Sequence, residues 1–377
     1  MKIAVAANSA WYLYNFRRNL MQSLMACGHQ IIAISPVDSY ADRLRQEGFA
    51  HRALPLSASG TNPLRELLTV MRVRRVLAEE GVAIAFTFTP KLNIYAGLVA
   101  RGLSLVHVPN VSGLGRVFIR PSALTPFVRM LYRFAFKPAR QVIFQNEDDR
   151  DIFIRYGMVR RERTVRVPGS GVDILRFTPA ATRAQGDVVV FLLIARMLWD
   201  KGVGEFVAAA RSLRREHPLL RFELLGSSTS DNPAAIPGDT LRSWQEEGVV
   251  VHTDHVDDVR PHIAGAHCVV LPSYREGLPR TLLEAAAMAK PLITTDVPGC
   301  RDTVDDGVNG FLCQPASAES LEGAMRRFLA LSADERSAMG RNGRTKVEQQ
   351  FNENTVISVY LALAGSAEVA KNKAGAT

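Results

Sequence analysis

The feature that most constrains the fold is a repeated alternation of short apolar runs with stretches of helical periodicity. In the first half, the runs are rich in β-branched residues and lack strict polar alternation, which is typical of strands buried on both faces. The predicted strands are Lys2–Ala7, Gln30–Ser35, Val82–Phe88, Leu105–Val108 and Gln141–Phe144, with helices such as Phe16–Cys27 and Leu64–Glu80 between them. This alternation predicts a parallel sheet with right-handed crossovers.

The second half repeats the scheme. Its predicted strands are Val188–Ile194, Arg221–Leu225, Val249–Val251, Cys268–Leu271, Pro291–Thr294 and Gly310–Leu312. Its predicted helices are Glu205–Glu216, Pro279–Ala289 and Ala318–Leu331. With 377 residues, 47% of them apolar, the chain can bury two cores. The prediction is therefore an α/β protein of two Rossmann-like, doubly wound domains that face a cleft, with ligands at the carboxyl ends of the strands.

A polar stretch without periodicity, Thr178–Asp187, separates the two halves. The predicted domains are residues 1–180 and 181–350. Residues 351–377 are predicted to form a helix that crosses back to the first domain, and then a frayed tail after Gly365.

Several classes of protein are disfavoured by simple patterns. No window of eighteen residues is continuously apolar, so no transmembrane helix is predicted. The apolar run after Met1 ends at Asn8 and indicates a buried strand rather than a signal peptide. The cysteines share no metal-binding spacing and are expected to be reduced thiols of a cytoplasmic protein. They are Cys27, Cys268, Cys300 and Cys313.

The net charge of +9 is unevenly distributed. Residues 1–180 contain 25 Lys and Arg against 12 Asp and Glu, whereas the rest of the chain is slightly acidic. A basic first half indicates an anionic partner, such as a membrane surface, a phosphorylated ligand or nucleic acid; the alternative is a solvated arginine-rich surface. No recognition motif supports nucleic acid.

The segment between Ser273 and Leu312 contains the most informative residues. Pro279 suits the first helical position after a turn, because its missing N–H needs no partner there. Glu276 lies in the turn, and Glu284 lies eight positions later, inside the helix. Both carboxylates could address one elongated ligand. Taken alone, they could equally be a helix-start charge and a surface residue.

The whole segment resembles family 4 of the glycosyltransferases, which retain the anomeric configuration and have the two-domain GT-B fold. The family's hallmark is two glutamates separated by seven residues in a recurrent setting. This chain has Glu276-Gly277-Leu278-Pro279, Glu284-Ala285, Lys290-Pro291-Leu292-Ile293, Pro298-Gly299 and Asp306–Leu312. The resemblance implies that Glu276 contacts the donor sugar and that Glu284 accepts hydrogen bonds from the ribose. Backbone N–H groups of Gly277 and Leu278 are expected to bind ligand oxygens.

A second pair of candidate residues, Arg196 and Lys201, follows the first strand of the second domain. A diphosphate leaving group develops negative charge, which fixed cations stabilise where no metal is present. The pair matches the family's R-x-x-x-x-K-G pattern, which binds the donor phosphates; the alternative is an ordinary surface pair. No Asp-x-Asp pair is suitably placed for a metal, and neither a metal nor another cofactor is expected. Three further residues are expected to border the donor: Val256, Gly226 and Ser273.

Candidate acceptor residues lie in the first half. The loop after the first strand has no G-x-G-x-x-G fingerprint, which disfavours a nicotinamide dehydrogenase; its aromatics could line a site or pack in the core. The segments 88–97 and 110–115 resemble a subgroup that acts on polyprenyl-diphosphate-linked saccharides, although Ser112 replaces a histidine common in the family. The candidate acceptor or phosphate-binding residues are Asn15, Lys91, Asn93, Tyr95, Ser112, Gly113, Leu114 and Gly115. The glycines could admit a phosphate or simply form a tight loop.

The segment Arg116–Arg140 mixes basic residues with Phe, Leu, Met and Tyr. A basic amphipathic helix of this kind can lie in a membrane interface with its cations reaching anionic lipid, or it can pack on the sheet. A lipid-linked acceptor would explain both this segment and the basic first half. We therefore predict a peripheral protein at the inner face of the cell membrane.

The sequence thus predicts a retaining glycosyltransferase that moves a sugar, an N-acetylhexosamine or hexose, from a UDP-sugar to a polyprenyl-diphosphate-linked saccharide in polysaccharide or glycan assembly. Three alternatives remain at this level. They are a nucleotide-sugar 2-epimerase of similar architecture, a non-catalytic basic membrane-binding adaptor, and a transferase with a soluble acceptor.

Overall fold

The structure is a computed structural model that describes residues 1–56, 63–114, 118, 124–179, 188–228 and 232–374. The chain divides into a first unit, Met1–Ser170 with Asn354–Thr377, and a second unit, Gly171–Glu353. The sequence-based boundary was placed between residues 180 and 181. In the structure Val172 and Phe177 already pack in the core of the second unit, and the Val172 N–H donates to the Phe351 carbonyl oxygen at 2.9 Å.

The first unit contains a seven-stranded sheet in which every strand pair is parallel. Its strands are β1 (Lys2–Ala6), β2 (Gln30–Ser35), β3 (Ala50–Ala53), β4 (Ile84–Thr87), β5 (Val106–Val111), β6 (Val142–Phe144) and β7 (Thr164–Arg166). The order is β3-β2-β1-β4-β5-β6-β7, so the chain reverses its direction of winding between β1 and β4. Ligands of such sheets bind at the carboxyl ends of the strands beside this switch point.

The sequence pattern missed the two edge strands, β3 and β7. Their sequences are Ala-His-Arg-Ala and Thr-Val-Arg, and most of their residues are partly or fully exposed. An edge strand borders one neighbour only and needs no continuous apolar run. In this sheet, hydrophobic periodicity therefore detects the inner strands and misses the two exposed edges.

Helices cover both faces of this sheet. They are α1 (Ala10–Ala26), α2 (Ala41–Gln46), α3 (Pro63–Glu79), α4 (Pro90–Ala100), α5 (Thr125–Phe136) and α6 (Glu147–Arg155). The first helix begins six residues before the predicted start, because the Ser9 hydroxyl accepts the Tyr12 N–H and caps it. Its aromatic residues Trp11, Tyr12 and Tyr14 pack against the apolar core, which is the packing alternative for this segment.

The carboxyl-terminal helix, α13 (Glu353–Ala374), joins the first unit over nearly its whole length. Tyr360 is fully buried in that unit's core, and its hydroxyl accepts the Asn110 amide at 2.7 Å. The predicted crossing-back helix is therefore present. The predicted frayed tail after Gly365 is wrong, because helical backbone continues to Ala374.

The second unit contains a six-stranded sheet of parallel pairs in the order β10-β9-β8-β11-β12-β13. Its strands are β8 (Val190–Ile194), β9 (Arg221–Leu225), β10 (Val251–Thr253), β11 (Cys268–Leu271), β12 (Leu292–Thr295) and β13 (Gly310–Cys313). Its helices are α7 (Val203–Glu216), α8 (Gly238–Glu246), α9 (Arg260–Gly265), α10 (Arg280–Ala287), α11 (Ala318–Leu329) and α12 (Ala333–Gln350). All six strands were predicted, and the switch point lies between β8 and β11.

The predicted fold class is confirmed, since each unit is a parallel, doubly wound, Rossmann-like sheet. Within the described ranges, none of the helices combines the length and the apolar character needed to cross a bilayer.

Candidate functional site

The switch point of the second unit brings together two loops that carry predicted donor residues. One loop follows β8 and includes Arg196 and Lys201; the other follows β11 and includes Ser273 and Glu276. The two strands are hydrogen-bonded neighbours, so their following loops emerge side by side. Parallel pairing thus brings Lys201 and Glu276 together, although they are 75 positions apart in the chain.

Lys201 and Glu276 form the central contact of this site. The Lys201 ammonium donates a hydrogen bond to the Glu276 carboxylate. The two side chains are only 20% and 15% exposed, so solvent screens their interaction less than it screens a surface pair. The structure thus places a fixed cation directly against the carboxylate that the resemblance assigns to the donor sugar.

A short 3₁₀ helix, Trp199–Lys201, positions Lys201 against the β11 loop. The Asp200 carbonyl oxygen accepts hydrogen bonds from the Tyr274 N–H at 3.0 Å and from the Ser273 hydroxyl at 3.2 Å. The Tyr274 hydroxyl in turn donates to Glu205, in the first turn of α7, at 2.5 Å. Ser273 is fully buried, so its side chain fastens the two loops together.

Gly202 permits this close approach. Its φ of +72° is in the left-handed region, and a Cβ at this position would lie 2.1 Å from the Pro272 carbonyl oxygen. Only glycine satisfies both conditions without displacement of backbone. Gly202 is also the N-cap of α7, so the amino end of that helix begins directly after Lys201.

The turn between Glu276 and α10 is packed against the loop after β12. A Cβ on Gly299 would lie 2.5 Å from the Glu276 carbonyl oxygen and 2.6 Å from that of Gly277. The Leu278 side chain is buried in the apolar core. Pro279 was predicted as the first helical residue, but it is the N-cap, with ψ of 109°, and Arg280 begins the helix.

Glu284 lies in the middle of α10 and is 8% exposed. Its carboxylate accepts a hydrogen bond from the Arg280 guanidinium at 2.9 Å. Burial raises the pKa of Glu284 above its usual value, while the charge and hydrogen bond of Arg280 act in the opposite direction. Sequence reasoning missed Arg280, although a basic residue four positions before a glutamate on one helix is a recognisable pair.

Three other predicted donor residues lie at the same carboxyl edge. Arg196 is exposed, and within the described ranges it has no ion-pair partner. Gly226 directly follows β9 and has φ of +144°, and a Cβ there would lie 1.9 Å from the Ala195 carbonyl oxygen. Val256, in the loop after β10, is half-buried against the core.

No group of three or more His, Cys, Asp or Glu side chains in the described part of the chain could hold a metal ion. All four cysteines are free thiols.

In the first unit, the predicted acceptor residues Lys91 and Tyr95 meet at a carboxylate that the sequence analysis did not identify. Glu66, in the first turn of α3, accepts hydrogen bonds from the Lys91 ammonium at 2.7 Å and from the Tyr95 hydroxyl. Lys91 and Tyr95 are one turn apart on α4, which follows β4 at the switch point. Burial and the adjacent Glu66 raise the pKa of Tyr95. No local sequence signal connects Glu66 to a helix 25 residues later.

Asn93 and Asn15 differ from this pair. Asn93 is 2% exposed, its amide oxygen accepts from Thr87 at 2.6 Å, and its amide nitrogen donates to the Asn110 carbonyl oxygen at 2.8 Å. Both ends of the side chain are therefore bonded inside the core. Asn15 donates to the Trp11 carbonyl oxygen within its own helix at 3.0 Å.

The loop after β5 contains the remaining predicted acceptor residues. The Ser112 hydroxyl donates to the Phe88 carbonyl oxygen at 3.1 Å. Gly113 has φ of +147°, a conformation that favours glycine, and Leu114 is buried in the core. Gly115 lies outside the described residues.

Comparison with known proteins identifies the family to which the chain is related. A family model described as "Glycosyl transferases group 1" matches residues 188–330, and one described as "Glycosyl transferase 4-like domain" matches residues 15–170. Together the two matches cover most of the chain.

Two curated relatives match over long stretches. The chain is 25% identical over 380 residues to the N,N'-diacetylbacillosaminyl-diphospho-undecaprenol alpha-1,3-N-acetylgalactosaminyltransferase of Campylobacter jejuni, which covers 96% of this chain and 98% of that protein. It is 23% identical over 318 residues to the UDP-Gal:alpha-D-GlcNAc-diphosphoundecaprenol alpha-1,3-galactosyltransferase of Escherichia coli, which covers 79% of each.

Among solved structures, the Anabaena HepE protein in complex with UDP-glucose superposes with a TM-score of 0.79 at 18% identity, over 97% of this chain and 100% of that one. At that identity the likeness supports the fold alone. The fold is that of the GT-B glycosyltransferases, and the two family models together cover both units. The chain therefore belongs to the group 1 and 4-like glycosyltransferases and is a glycosyltransferase of the GT-B fold.

Proposed function

We propose that this enzyme transfers an N-acetylhexosamine or hexose from a UDP-sugar to a polyprenyl-diphosphate-linked saccharide, with retention at the anomeric carbon, during assembly of a cell-surface polysaccharide or glycan. The observation that carries the proposal is the shielded contact of Lys201 with Glu276 at the switch point of the second unit. A cation and a carboxylate in contact suit a ligand that has a diphosphate at one end and a sugar next to it.

The reaction breaks the bond between the anomeric carbon and a phosphate oxygen and forms one from that carbon to the acceptor oxygen. Negative charge develops on the departing diphosphate, and a diphosphate oxygen takes the proton that the acceptor hydroxyl loses. Lys201 and Arg196 would stabilise that charge, together with the backbone N–H groups at the amino end of α7. Glu276 would bind the donor sugar. No step in this scheme requires a metal ion or another cofactor.

The Glu284–Arg280 pair would bind the ribose of the same donor. A carboxylate that already accepts one hydrogen bond from a guanidinium has its orientation fixed before the ligand arrives. Retaining glycoside hydrolases place two carboxylates astride one bond. In our proposal Glu284 serves the nucleoside, so at most one carboxylate of the pair, Glu276, is near the reacting carbon. Val256, Gly226 and Ser273 would border the nucleotide.

The acceptor class is supported by the relatives. The two curated relatives described above are both named as transferases that act on saccharides attached to diphospho-undecaprenol. The Lys91–Glu66–Tyr95 cluster at the switch point of the first unit supplies a cation for the acceptor diphosphate. Ser112 and Gly113, which follow β5, would border the acceptor at the carboxyl edge of the same sheet.

A transfer assay tests this proposal. The purified enzyme, incubated with a panel of UDP-sugars and polyprenyl-diphosphate saccharides, is expected to give one product whose mass rises by a single sugar residue. Absence of turnover with every pair, by protein whose circular dichroism is that of a folded α/β chain, would contradict the proposal. A change in the UDP-sugar without any acceptor would instead favour a 2-epimerase, and turnover only with water-soluble saccharides a soluble-acceptor transferase.

We also propose that the enzyme is peripheral to the inner face of the cell membrane. The helix α5 exposes an apolar stripe of Phe127, Met130 and Phe134, which are 53%, 45% and 59% exposed. The sequence analysis predicts that the arginines of this helix reach lipid, but Arg129, which is half-buried, and Arg133, which is exposed, each have a contact within the protein. Arg129 lies over the Tyr156 ring, and Arg133 donates to the Gly157 carbonyl oxygen at 3.0 Å. The stripe would therefore contact the membrane through apolar side chains rather than through these cations.

Replacement of both Phe127 and Phe134 by serine is expected to weaken binding to acceptor-free vesicles roughly tenfold, because two half-exposed aromatic rings no longer enter the bilayer. The binding is measured by vesicle sedimentation. Leu219→Ser is the matched control, because Leu219 is 62% exposed but lies in the second unit. Equal binding by the control and by the double variant would exclude α5 as the contact.

A further inference from the structure

A basic cavity lies beside the edge strand β3, and none of its lining residues is assigned to donor or acceptor. Its volume is about 430 Å³, and its polar lining comes from Arg45, His51, Arg52, Arg72, Arg75 and Glu79. We call it the arginine pocket. The arginines come from the end of α2, from β3 and from the middle of α3, so the pocket is formed only when the sheet edge and α3 pack together.

The pocket has an excess of positive charge. Arg52 and Arg75 both contact Glu79, at 2.7 Å each, so a single lining carboxylate is shared by two of the four guanidinium groups. Arg52 also lies 3.8 Å from Glu80, which is not part of the lining. Arg45 pairs with Asp42, which lies outside the lining. Arg72 is exposed and has no ion-pair partner within the described ranges. Guanidinium groups bind phosphate oxygens in a bidentate manner, so the preferred occupant is a phosphate group.

His51 adds hydrogen-bonding capacity without adding charge. Its Nε2 atom is 2.9 Å from the Ser35 hydroxyl. Burial and the adjacent Arg45 lower the pKa of His51, so its imidazole is neutral at physiological pH. The positive charge of the pocket therefore comes from arginines, which remain charged at every physiological pH.

An exposed apolar stripe leads directly to the pocket along α3. Leu64, Leu67, Leu68 and Met71 are 74%, 56%, 48% and 51% exposed. Their spacing places them on one side of the helix. Arg72 and Arg75 follow Leu68 and Met71 by four residues each, so they continue the same side one turn later. This side of α3 is thus apolar over the first two turns of the helix and cationic where the pocket begins.

The arrangement distinguishes a lipid from a free anion. A soluble phosphate or nucleotide would need only the arginines, and the four apolar side chains would remain exposed to water. A phospholipid presents a phosphate at its head and hydrocarbon below it, which matches a pocket adjoined by an apolar stripe. In addition, α4 packs against both α3 and α5 on the same face of the sheet, so this stripe and the α5 stripe belong to one helical layer.

We propose that the arginine pocket binds the phosphate head group of an anionic phospholipid while Leu64, Leu67, Leu68 and Met71 enter the acyl region. This inference extends the membrane contact of the proposed function, and it assigns lipid selectivity to α3 rather than to α5. Glu66 lies on the same helix, between Leu64 and Leu67, and contacts Lys91 and Tyr95. Insertion of the α3 stripe into the membrane would therefore also fix the depth of Lys91 and Tyr95 relative to the membrane surface.

Vesicle binding by the full-length protein tests the proposal. The vesicles contain phosphatidylcholine with or without phosphatidylglycerol, and neither acceptor nor nucleotide sugar is present, so the result does not depend on whether the protein transfers sugar. Arg72→Gln is expected to weaken binding to the phosphatidylglycerol vesicles about fivefold or more. Arg74→Gln is the matched control, because Arg74 is an exposed arginine of the same helix that does not line the pocket. The loss of vesicle binding caused by Arg74→Gln should be clearly smaller than that caused by Arg72→Gln.

A second pair of variants separates lipid from free anion. Leu68→Ser with Met71→Ser is expected to reduce vesicle binding about tenfold while leaving any weak binding of glycerol phosphate unchanged. Equal losses from Arg72→Gln and Arg74→Gln would overturn the pocket and leave only diffuse attraction. Unchanged vesicle binding by the Leu68/Met71 variant, or displacement of the protein from vesicles by millimolar glycerol phosphate, would overturn the lipid as the ligand. Concentration-dependent dimers abolished by that variant would identify the stripe as a protein interface instead.

Discussion

Replacement of Lys201 by alanine is expected to lower kcat/KM for sugar transfer by about 10²- to 10³-fold, which is typical for the loss of one preorganised group that stabilises developing charge. The physical reason is twofold. The variant removes a cation from the proposed diphosphate site, and it leaves the Glu276 carboxylate without its shielded partner. Steady-state rates of UDP release at varied donor concentration provide the measurement.

Lys346→Ala is the appropriate control for this prediction. Lys346 also pairs with a carboxylate in the second unit, that of Asp305 at 2.7 Å. However, Asp305 precedes β13 and so lies towards the amino end of that strand, opposite the site. The Lys346→Ala variant should therefore have the same turnover as the parent enzyme. If the rate of Lys201→Ala stays within a few-fold of the parent enzyme, Lys201 does not belong to the phosphate site.

The Glu276→Gln variant and the Lys201→Ala/Glu276→Gln double variant complete a cycle. Residues that act as one unit give losses that are strongly non-additive. We expect the activity of the double variant to be little lower than that of the less active single variant. Additive losses would mean that the two side chains act on the donor independently and that their contact is not functionally important.

Replacement of Gly202 by alanine is expected to destabilise the second unit by roughly 3 kcal/mol, since it combines a left-handed backbone with a Cβ placed against backbone. The Cβ would lie 2.1 Å from the Pro272 carbonyl oxygen. Relief of that clash must displace either the amino end of α7 or the loop that holds Glu276. We therefore also expect weaker UDP binding, measured by titration calorimetry alongside the thermal midpoint.

Gly323→Ala provides the contrast. Gly323 lies in α11, a Cβ there meets nothing within 4 Å, and its backbone is helical. The same chemical change should stabilise that helix by up to about 1 kcal/mol and leave UDP binding unaltered. A Gly202→Ala variant with the parent's thermal midpoint and UDP affinity would show that the two loops can separate without cost.

The sequence predicts the inner strands of both sheets well because each is a continuous apolar run bounded by turns. It also predicts the donor motif, since Glu276, Pro279 and Glu284 are close in the chain and stand in a recurrent pattern. Element boundaries are less exact. The first helix starts at Ala10 because Ser9 caps it, and Pro279 caps α10 rather than opening it. Such shifts depend on individual backbone angles, which periodicity does not encode.

The acceptor residues illustrate the opposite case. Lys91, Asn93 and Tyr95 occur within five positions, and the sequence treats them alike. In the structure the side chains of Lys91 and Tyr95 meet Glu66, whereas that of Asn93 is bonded inside the core. Helical geometry explains the difference, because residues four apart share a side of the helix and a residue between them faces elsewhere.

The sequence by itself determined the fold class, the repeated parallel-sheet domain and the family, because these depend on local periodicity and on motifs contiguous in the chain. Only the tertiary structure decided that Lys201 contacts Glu276, that Gly202 makes this contact possible, and that Glu66 joins Lys91 and Tyr95. It also decided that arginines from α2, β3 and α3 line one pocket. These contacts join residues that are far apart in the chain, and only the pairing of strands and the packing of helices on them brings such residues within reach of one another.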